Sequence, residues 1–191
     1  SLHGKGQKTQ ARGYGLRRRD YGGAQEKAMT VDKLELLNFR NYRDLTVSFS
    51  PEINVISGNN AEGKTNLIES IYYLSALRPI RTAKDRDLVT QGQTEAKISA
   101  AIGSGAKSTE LCAVLSICER KKLFKNGIKQ KTGADFAGVL KTVLFCPDDL
   151  LLIKESGAQR RKLIDSALCQ LRPSYYAALV SYNRLLDQKN K

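Results

Sequence analysis

Residues Gly58 to Thr65 read Gly-Asn-Asn-Ala-Glu-Gly-Lys-Thr, matching G-x-x-x-x-G-K-[ST] at every specified position. That spacing supports capture of a polyphosphate. Gly58 and Gly63 let the backbone curl until successive N–H groups face one anion, with Asn59, Asn60, Ala61 and Glu62 as the body of the loop. Lys64 supplies a point charge for the β- and γ-phosphates, and the Thr65 hydroxyl a ligand for Mg2+. A helix starting at this point adds the positive end of its dipole. The expected ligand is a nucleotide, ATP with Mg2+.

Other chemistries are poorly supplied. The one histidine, His3, lies in a leader without hydrophobic pattern, which removes Ser-His-Asp, Cys-His and His-metal sites. The four cysteines (Cys112, Cys118, Cys146, Cys169) form no C-x-x-C pair and fall in apolar stretches, so they read as reduced thiols packed as small hydrophobes.

The elements that must hold the loop are legible around it. Ile53–Ser57 is a short apolar run, read as a buried central strand. Thr65–Leu77 carries Leu67, Ile68, Ile71, Leu74 and Leu77 at helical spacing. Val31–Phe39 and Leu45–Phe49 read as strands, the first with Leu34 and Leu36 on one face. Strand signals recur at Ala96–Ile102, Leu111–Cys118 and Lys122–Phe124, and Asn126-Gly127 suits a type I′ hairpin turn. Val143–Cys146 is a further buried-strand candidate, closed by Pro147. From about Gln159 the pattern is helical, interrupted near Arg172-Pro173.

The 191 residues carry a net charge of +13. Residues 1–28 hold seven Lys/Arg against two Asp/Glu and account for +5, leaving +8 on residues 29–191. The first segment is rich in Gly, Gln and Arg and too poor in aliphatic residues to fold alone. Met29, the only methionine, precedes the first patterned segment. Residues 1–28 therefore read as a disordered leader or tag, or alternatively as a basic nucleic-acid-binding arm centred on Arg17-Arg18-Arg19. A charge of +8 suits a polyanion partner without requiring one. With no apolar run long enough to span a bilayer and no secretory h-region, the expected location is the cytoplasm.

Leu36-Leu37-Asn38-Phe39-Arg40-Asn41-Tyr42, then Ile53-Asn54-Val55-Ile56, then the loop continued as Asn66-Leu67-Ile68-Glu69-Ser70-Ile71, resemble the opening of the SMC-like ATPase heads of the ABC superfamily. Within that group the resemblance is to the RecF family. It extends to Arg81-Thr82 with Asp85 and Leu88-Val89, and to Pro147-Asp148-Asp149-Leu150 with Arg160-Arg161 and Asp165. The chain departs from that pattern in Gly157, where the family usually has proline, and in Leu163, where an aromatic is usual.

The resemblance implies an α/β P-loop head with a mixed sheet around a central helix and a helical segment after it, as an incomplete domain. The implied division is a leader at 1–28, the amino-terminal part of the head at 29–158 and the start of a helical arm at 159–191. Gly58–Thr65 would form the ATP site, with Asn38, Arg40 and Arg81 brought to the nucleotide. For Arg81, contact with DNA or a solvated surface position stays open. Asp148 would stand where related ATPases place a magnesium and water contact, although Pro-Asp-Asp-Leu is also an ordinary helix start. Arg160 and Arg161 would meet DNA, or else remain solvated helix charge.

The implied function is ATP-dependent DNA binding in recombinational repair and replication, including the SOS response. In that function a homodimer closes on duplex or gapped DNA, with RecO and RecR as partners. No Walker B strand and no S-G-G-Q-like signature follow residue 95, so no catalytic acid is expected here and the chain alone should not hydrolyse ATP. The competing reading is another P-loop enzyme such as a small-molecule kinase, for which Glu62, Glu69 and Asp85 are the early carboxylates.

Overall fold

The computed structural model describes residues 12–13, 29–82, 84–105, 107–146 and 157–190. Its centre is a six-stranded sheet ordered β3-β2-β5-β6-β7-β8. These strands are β2 (Met29–Phe39), β3 (Tyr42–Ser48), β5 (Glu95–Ser104), β6 (Lys107–Ser116), β7 (Lys122–Lys125) and β8 (Ile128–Lys129). Every pairing in it is antiparallel. Among the described residues three α-helices accompany the sheet: α1 (Lys64–Ala76), α2 (Gly157–Leu171) and α3 (Pro173–Lys189).

Alternation decides which face of the sheet is dry. Leu34 and Leu36 of β2 stand level with Val47 and Leu45 of β3 and with Ala100 and Ile98 of β5. Leu111, Ala113 and Leu115 of β6 continue the row. All of these are buried, together with Leu67, Tyr73, Leu74 and Leu77 from α1 and its C-cap, Leu88, and Phe136. Each large aliphatic side chain so covered contributes about 1.5–3 kcal/mol, which anchors α1 and therefore the loop that precedes it. The other side of α1 meets α2 through polar contacts. Tyr72 and Ser166 hydroxyls lie 2.9 Å apart, Ser75 donates to Gln170 at 2.8 Å, and Arg78 donates to the Lys162 carbonyl at 3.0 Å.

At Asn126-Gly127 both φ angles are positive (50° and 75°), as a two-residue hairpin between right-twisted strands requires. The helical break falls at Arg172, with Pro173 opening α3.

Three expectations fail. Ile53–Ser57 is not a buried central strand. Only Asn54–Val55 (β4) pairs, with Arg12–Gly13 (β1), and Ile53 and Val55 remain 42% and 47% exposed. An apolar run supplies the propensity for a strand, but burial needs a covering layer, and none of the described residues provides it there. Val143–Cys146 is likewise no strand, with Val143 fully exposed and Phe145 72% exposed. Of the cysteines, Cys112 and Cys169 are buried, but Cys118 is exposed and Cys146 partly so.

Candidate functional site

The loop at Gly58–Thr65 sits between β4 and α1, as its chemistry requires. Gly63 is the N-cap of α1 at φ 103°, a left-handed conformation in which a side chain is strained. A Cβ there would also fall 2.6 Å from the Asn41 side chain and 2.9 Å from the Tyr42 hydroxyl. No side chain caps α1 and no acidic residue stands in its first turn, so the first N–H groups and the positive dipole end face outward.

Lys64 folds back across the loop, its Nζ donating to the carbonyls of Gly58 (2.7 Å) and Asn59 (2.6 Å). Glu62 turns inward as well, accepting from the Asn59 backbone N–H and from Asn59 Nδ2, both at 2.9 Å. One loop N–H therefore already holds a carboxylate oxygen. Asn60, Ala61 and Thr65 stay exposed.

Beside the loop lies an open cleft of about 520 Å3 lined by Arg40, Asn41, Asn66, Arg81, Thr82, Asp87 and Val89. Arg40 reaches it from the β2–β3 turn, at φ 54°. A left-handed arginine costs about 1–3 kcal/mol and persists only where its surroundings hold it. Here the segment after α1 clasps the turn: Arg40 N–H donates to the Leu88 carbonyl (2.7 Å), Thr90 N–H to the Asn38 carbonyl (2.8 Å) and the Thr90 hydroxyl to the Arg40 carbonyl (2.8 Å). Asn38 enters this clasp through its backbone and does not line the cleft.

Arg40 and Arg81 converge on Glu69, one turn along α1 from Thr65. Arg40 donates Nε and Nη2 to the two carboxylate oxygens at 3.0 and 3.1 Å. Arg81 Nη2 donates to Glu69 Oε2 at 3.3 Å and also to Asn66 Oδ1, and the Ile80 N–H reaches Oε1 at 3.1 Å. Burial alone would raise the Glu69 carboxyl. The hydrogen bond and charge of Arg40, then the Ile80 N–H and Arg81, outweigh it and hold the group below the ordinary glutamate range.

Asn41 joins loop and cleft, donating to the Glu62 carbonyl (3.1 Å) and accepting from Asn66 Nδ2 (2.7 Å). Burial, then the charge of Glu62, raises the neighbouring Tyr42 hydroxyl. Sequence reading passed over Asn41 and Asn66, although each adjoins a residue singled out.

The remaining candidates lie apart. Arg160 and Arg161 are exposed on α2. Asp148 lies outside the described residues. Among the described residues no cluster of three His, Cys, Asp or Glu side chains offers a metal cage. The cleft and loop offer N–H, guanidinium and ammonium donors, and the Thr65 hydroxyl is exposed beside them. A basic surface also went unread: six of the twelve residues 120–131 are Lys or Arg, on β7, β8 and their flanks. Lys121 pairs with Asp85 (3.0 Å) and Lys122 with Glu119 (2.7 Å). Among the described residues Arg120, Lys125, Lys129 and Lys131 have no such partner.

Comparison with known proteins agrees with this geometry. The family described as "RecF/RecN/SMC N terminal domain" matches residues 30–130. The chain is 41% identical over 162 residues to the DNA replication and repair protein RecF of Clostridium novyi, and 42% identical over 165 residues to that of Acetivibrio thermocellus. Those alignments cover 85% of this chain but 45% and 44% of the relatives, so the chain spans a little under half their length. Among solved structures, the recombination mediator RecF-ATP of the RecFOR pathway superposes with a TM-score of 0.76 at 30% identity, over 85% of this chain and 45% of that one. A structure from work on SMC ATPases (TM-score 0.58, 21% identity, 71% of this chain and 98% of that one) shares the fold alone. The chain belongs to the RecF/RecN/SMC N-terminal domain family and spans the amino-terminal portion of RecF.

Proposed function

We propose that this chain is the nucleotide-binding portion of an ATP-dependent, DNA-binding protein of recombinational DNA repair and replication. The observation that carries the reading is the uncapped start of α1, where Lys64, Thr65 and outward N–H groups meet a cleft holding Arg40 and Arg81. The loop N–H groups and Lys64 take the phosphates, Thr65 ligates Mg2+, and the two arginines line the adjoining cleft. The solved RecF-ATP form supports ATP as the nucleotide. In the complete protein ATP closes a homodimer on duplex or gapped DNA, with RecO and RecR as partners and the cytoplasm and SOS response as the setting. Residues 29–158 serve as the head portion and 159–191 as the start of the arm, preceded by the leader.

The kinase reading is not favoured. Glu62 is bonded to the loop, Glu69 is held by two arginines, and Asp85 pairs with Lys121, so none is a free base beside the phosphates.

Titration with a fluorescent ATP analogue and Mg2+ tests the nucleotide site: Lys64→Ala should remove most of the affinity, and equal affinity in variant and parent rejects the assignment. For DNA, affinity in the complete protein should rise with ATP and fall steeply with salt. Charge reversal at Arg160 and Arg161, set against reversal at Lys125 and Lys129, identifies the contacting surface. The pair that touches phosphate lowers the salt slope as well as the affinity, and no change from either pair removes both surfaces from consideration.

A further inference from the structure

Glu69 is a carboxylate with no exposed surface, in a helix whose first residues belong to the phosphate loop. Its two oxygens receive four hydrogen bonds, from Arg40 Nε, Arg40 Nη2, Arg81 Nη2 and the Ile80 N–H. A carboxylate offers about four lone-pair sites, so this one is saturated and can take a proton only by giving up one of these bonds.

We propose that Glu69 is a positioning residue for the nucleotide: it fixes Arg40 at the cleft and holds Arg81 there as an exchangeable arm. This rests on Gly58–Thr65 being the nucleotide site.

The two arginines are held unequally. Arg40 spends nitrogens on both Glu69 oxygens, and its Nη1 donates to the Asp87 carbonyl at 3.0 Å. Its side chain is only 18% exposed, and its backbone is clasped by Leu88 and Thr90. A guanidinium bound through its fork and pinned at the backbone has little freedom to lose when an anion arrives. Arg81 is 49% exposed, reaches Glu69 by one longer bond of 3.3 Å, and shares that nitrogen with Asn66. Its Nε and Nη1 have no partner among the described residues, so those two nitrogens are available to an anion in the cleft, and a full turn toward it gives up only the two bonds that Nη2 makes, to Glu69 and to Asn66.

Position on the helix makes the arrangement useful. Four residues of α-helix rise about 6 Å, so Glu69 lies one turn beyond Thr65 on the same face. The arginines come from the β2–β3 turn and from the segment after α1, yet both are indexed to the helix that carries Lys64 and Thr65. Within the clamp itself one buried negative charge stands against two positive ones, a surplus of +1, and Asp87 on the cleft wall has its own partner in Arg86 at 3.9 Å.

The test uses the whole chain and a fluorescent ATP analogue with Mg2+. Glu69→Gln removes the negative charge and turns a donor toward the arginine N–H groups. Expected is roughly tenfold weaker binding, the scale of hydrogen bonds to charged groups, although the site has become more positive. Arg40→Lys keeps the charge and loses the fork, and should weaken binding similarly. The double variant should lose no more than either single, because both break one unit. Binding by folded Glu69→Gln that equals or exceeds the parent's, or additive losses in the double variant, overturns the proposal. Should Glu69→Gln not fold, Arg40→Lys decides: parent-like binding overturns the clamp, weakened binding supports it. Lys64→Ala separates the failures. If Lys64→Ala weakens binding and the clamp variants do not, this proposal alone falls; if Lys64→Ala has no effect either, the nucleotide site falls and this inference with it.

Discussion

The phosphate loop and the arginine clamp share α1, one at its first residues and the other a turn later, and they are built in opposite ways. The loop is largely exposed, held mostly by its own short-range contacts with one bond from Asn41, and leaves its helix end uncapped. The clamp centres on a buried carboxylate with every acceptor filled by groups from two other segments, the β2–β3 turn and residues 80–81. A surface that must exchange an anion leaves donors free, whereas one that must hold a cation in place, as Glu69 holds Arg40, commits it fully. The loop should therefore carry affinity with little stability, and the clamp both.

The largest expected effect lies in the clamp. Glu69→Ala leaves Arg40 largely buried without its counter-charge, and breaking a buried pair from one side costs about 3–5 kcal/mol. A lower urea midpoint at an unchanged slope checks this, and a parent-like midpoint breaks the comparison. Second is Lys64→Ala. It should lower nucleotide affinity by roughly two powers of ten, about 2.7 kcal/mol, while the melting temperature of the unliganded chain stays put. A substantial fall in that temperature would put the loop in the clamp's class. A smaller effect is expected from Asn41→Ala, which cuts the bridge from the Glu62 carbonyl to Asn66. Losing two largely exposed hydrogen bonds should cost about 1 kcal/mol in stability, with a modest loss of nucleotide affinity, both read in the same titrations.

The same contrast explains how much was legible in the sequence. The loop, α1 and the Asn126-Gly127 turn are local: their residues are neighbours in the chain, and backbone sterics and side-chain period determine them. The clamp is not local. Glu69 stands 29 residues from Arg40 and 12 from Arg81, and they meet because the Arg40 turn is clasped by residues 88–90. No period or spacing encodes that meeting. The resemblance could place Arg40 and Arg81 near a nucleotide, but it gave no role to the buried acid between them. The strands expected at Ile53–Ser57 and Val143–Cys146 failed for a related reason. Apolar composition signals that a segment can be covered, and what covers it lies elsewhere in the fold.

The smallest expected effect is a pH dependence, and it separates the regions without abolishing either. The Glu69 carboxyl is lowered in the folded chain relative to its ordinary value, because the arginine and amide hydrogen bonds outweigh burial. The unfolded chain then binds the proton more readily than the folded one. The stabilisation is complete above the ordinary glutamate value, about 4.3, and is lost as pH falls through the lower folded value. The parent should lose stability on acidification faster than Glu69→Gln, by at most about 1.4 kcal/mol per pH unit for one proton, with the difference between them constant above about pH 5. Lys64→Ala, which leaves that carboxylate untouched, should track the parent. Urea midpoints from pH 7 down to 3 measure it. Parallel curves for parent and Glu69→Gln would show that Glu69 carries no differential charge stabilisation, and the clamp would then be distinguished from the loop by packing alone.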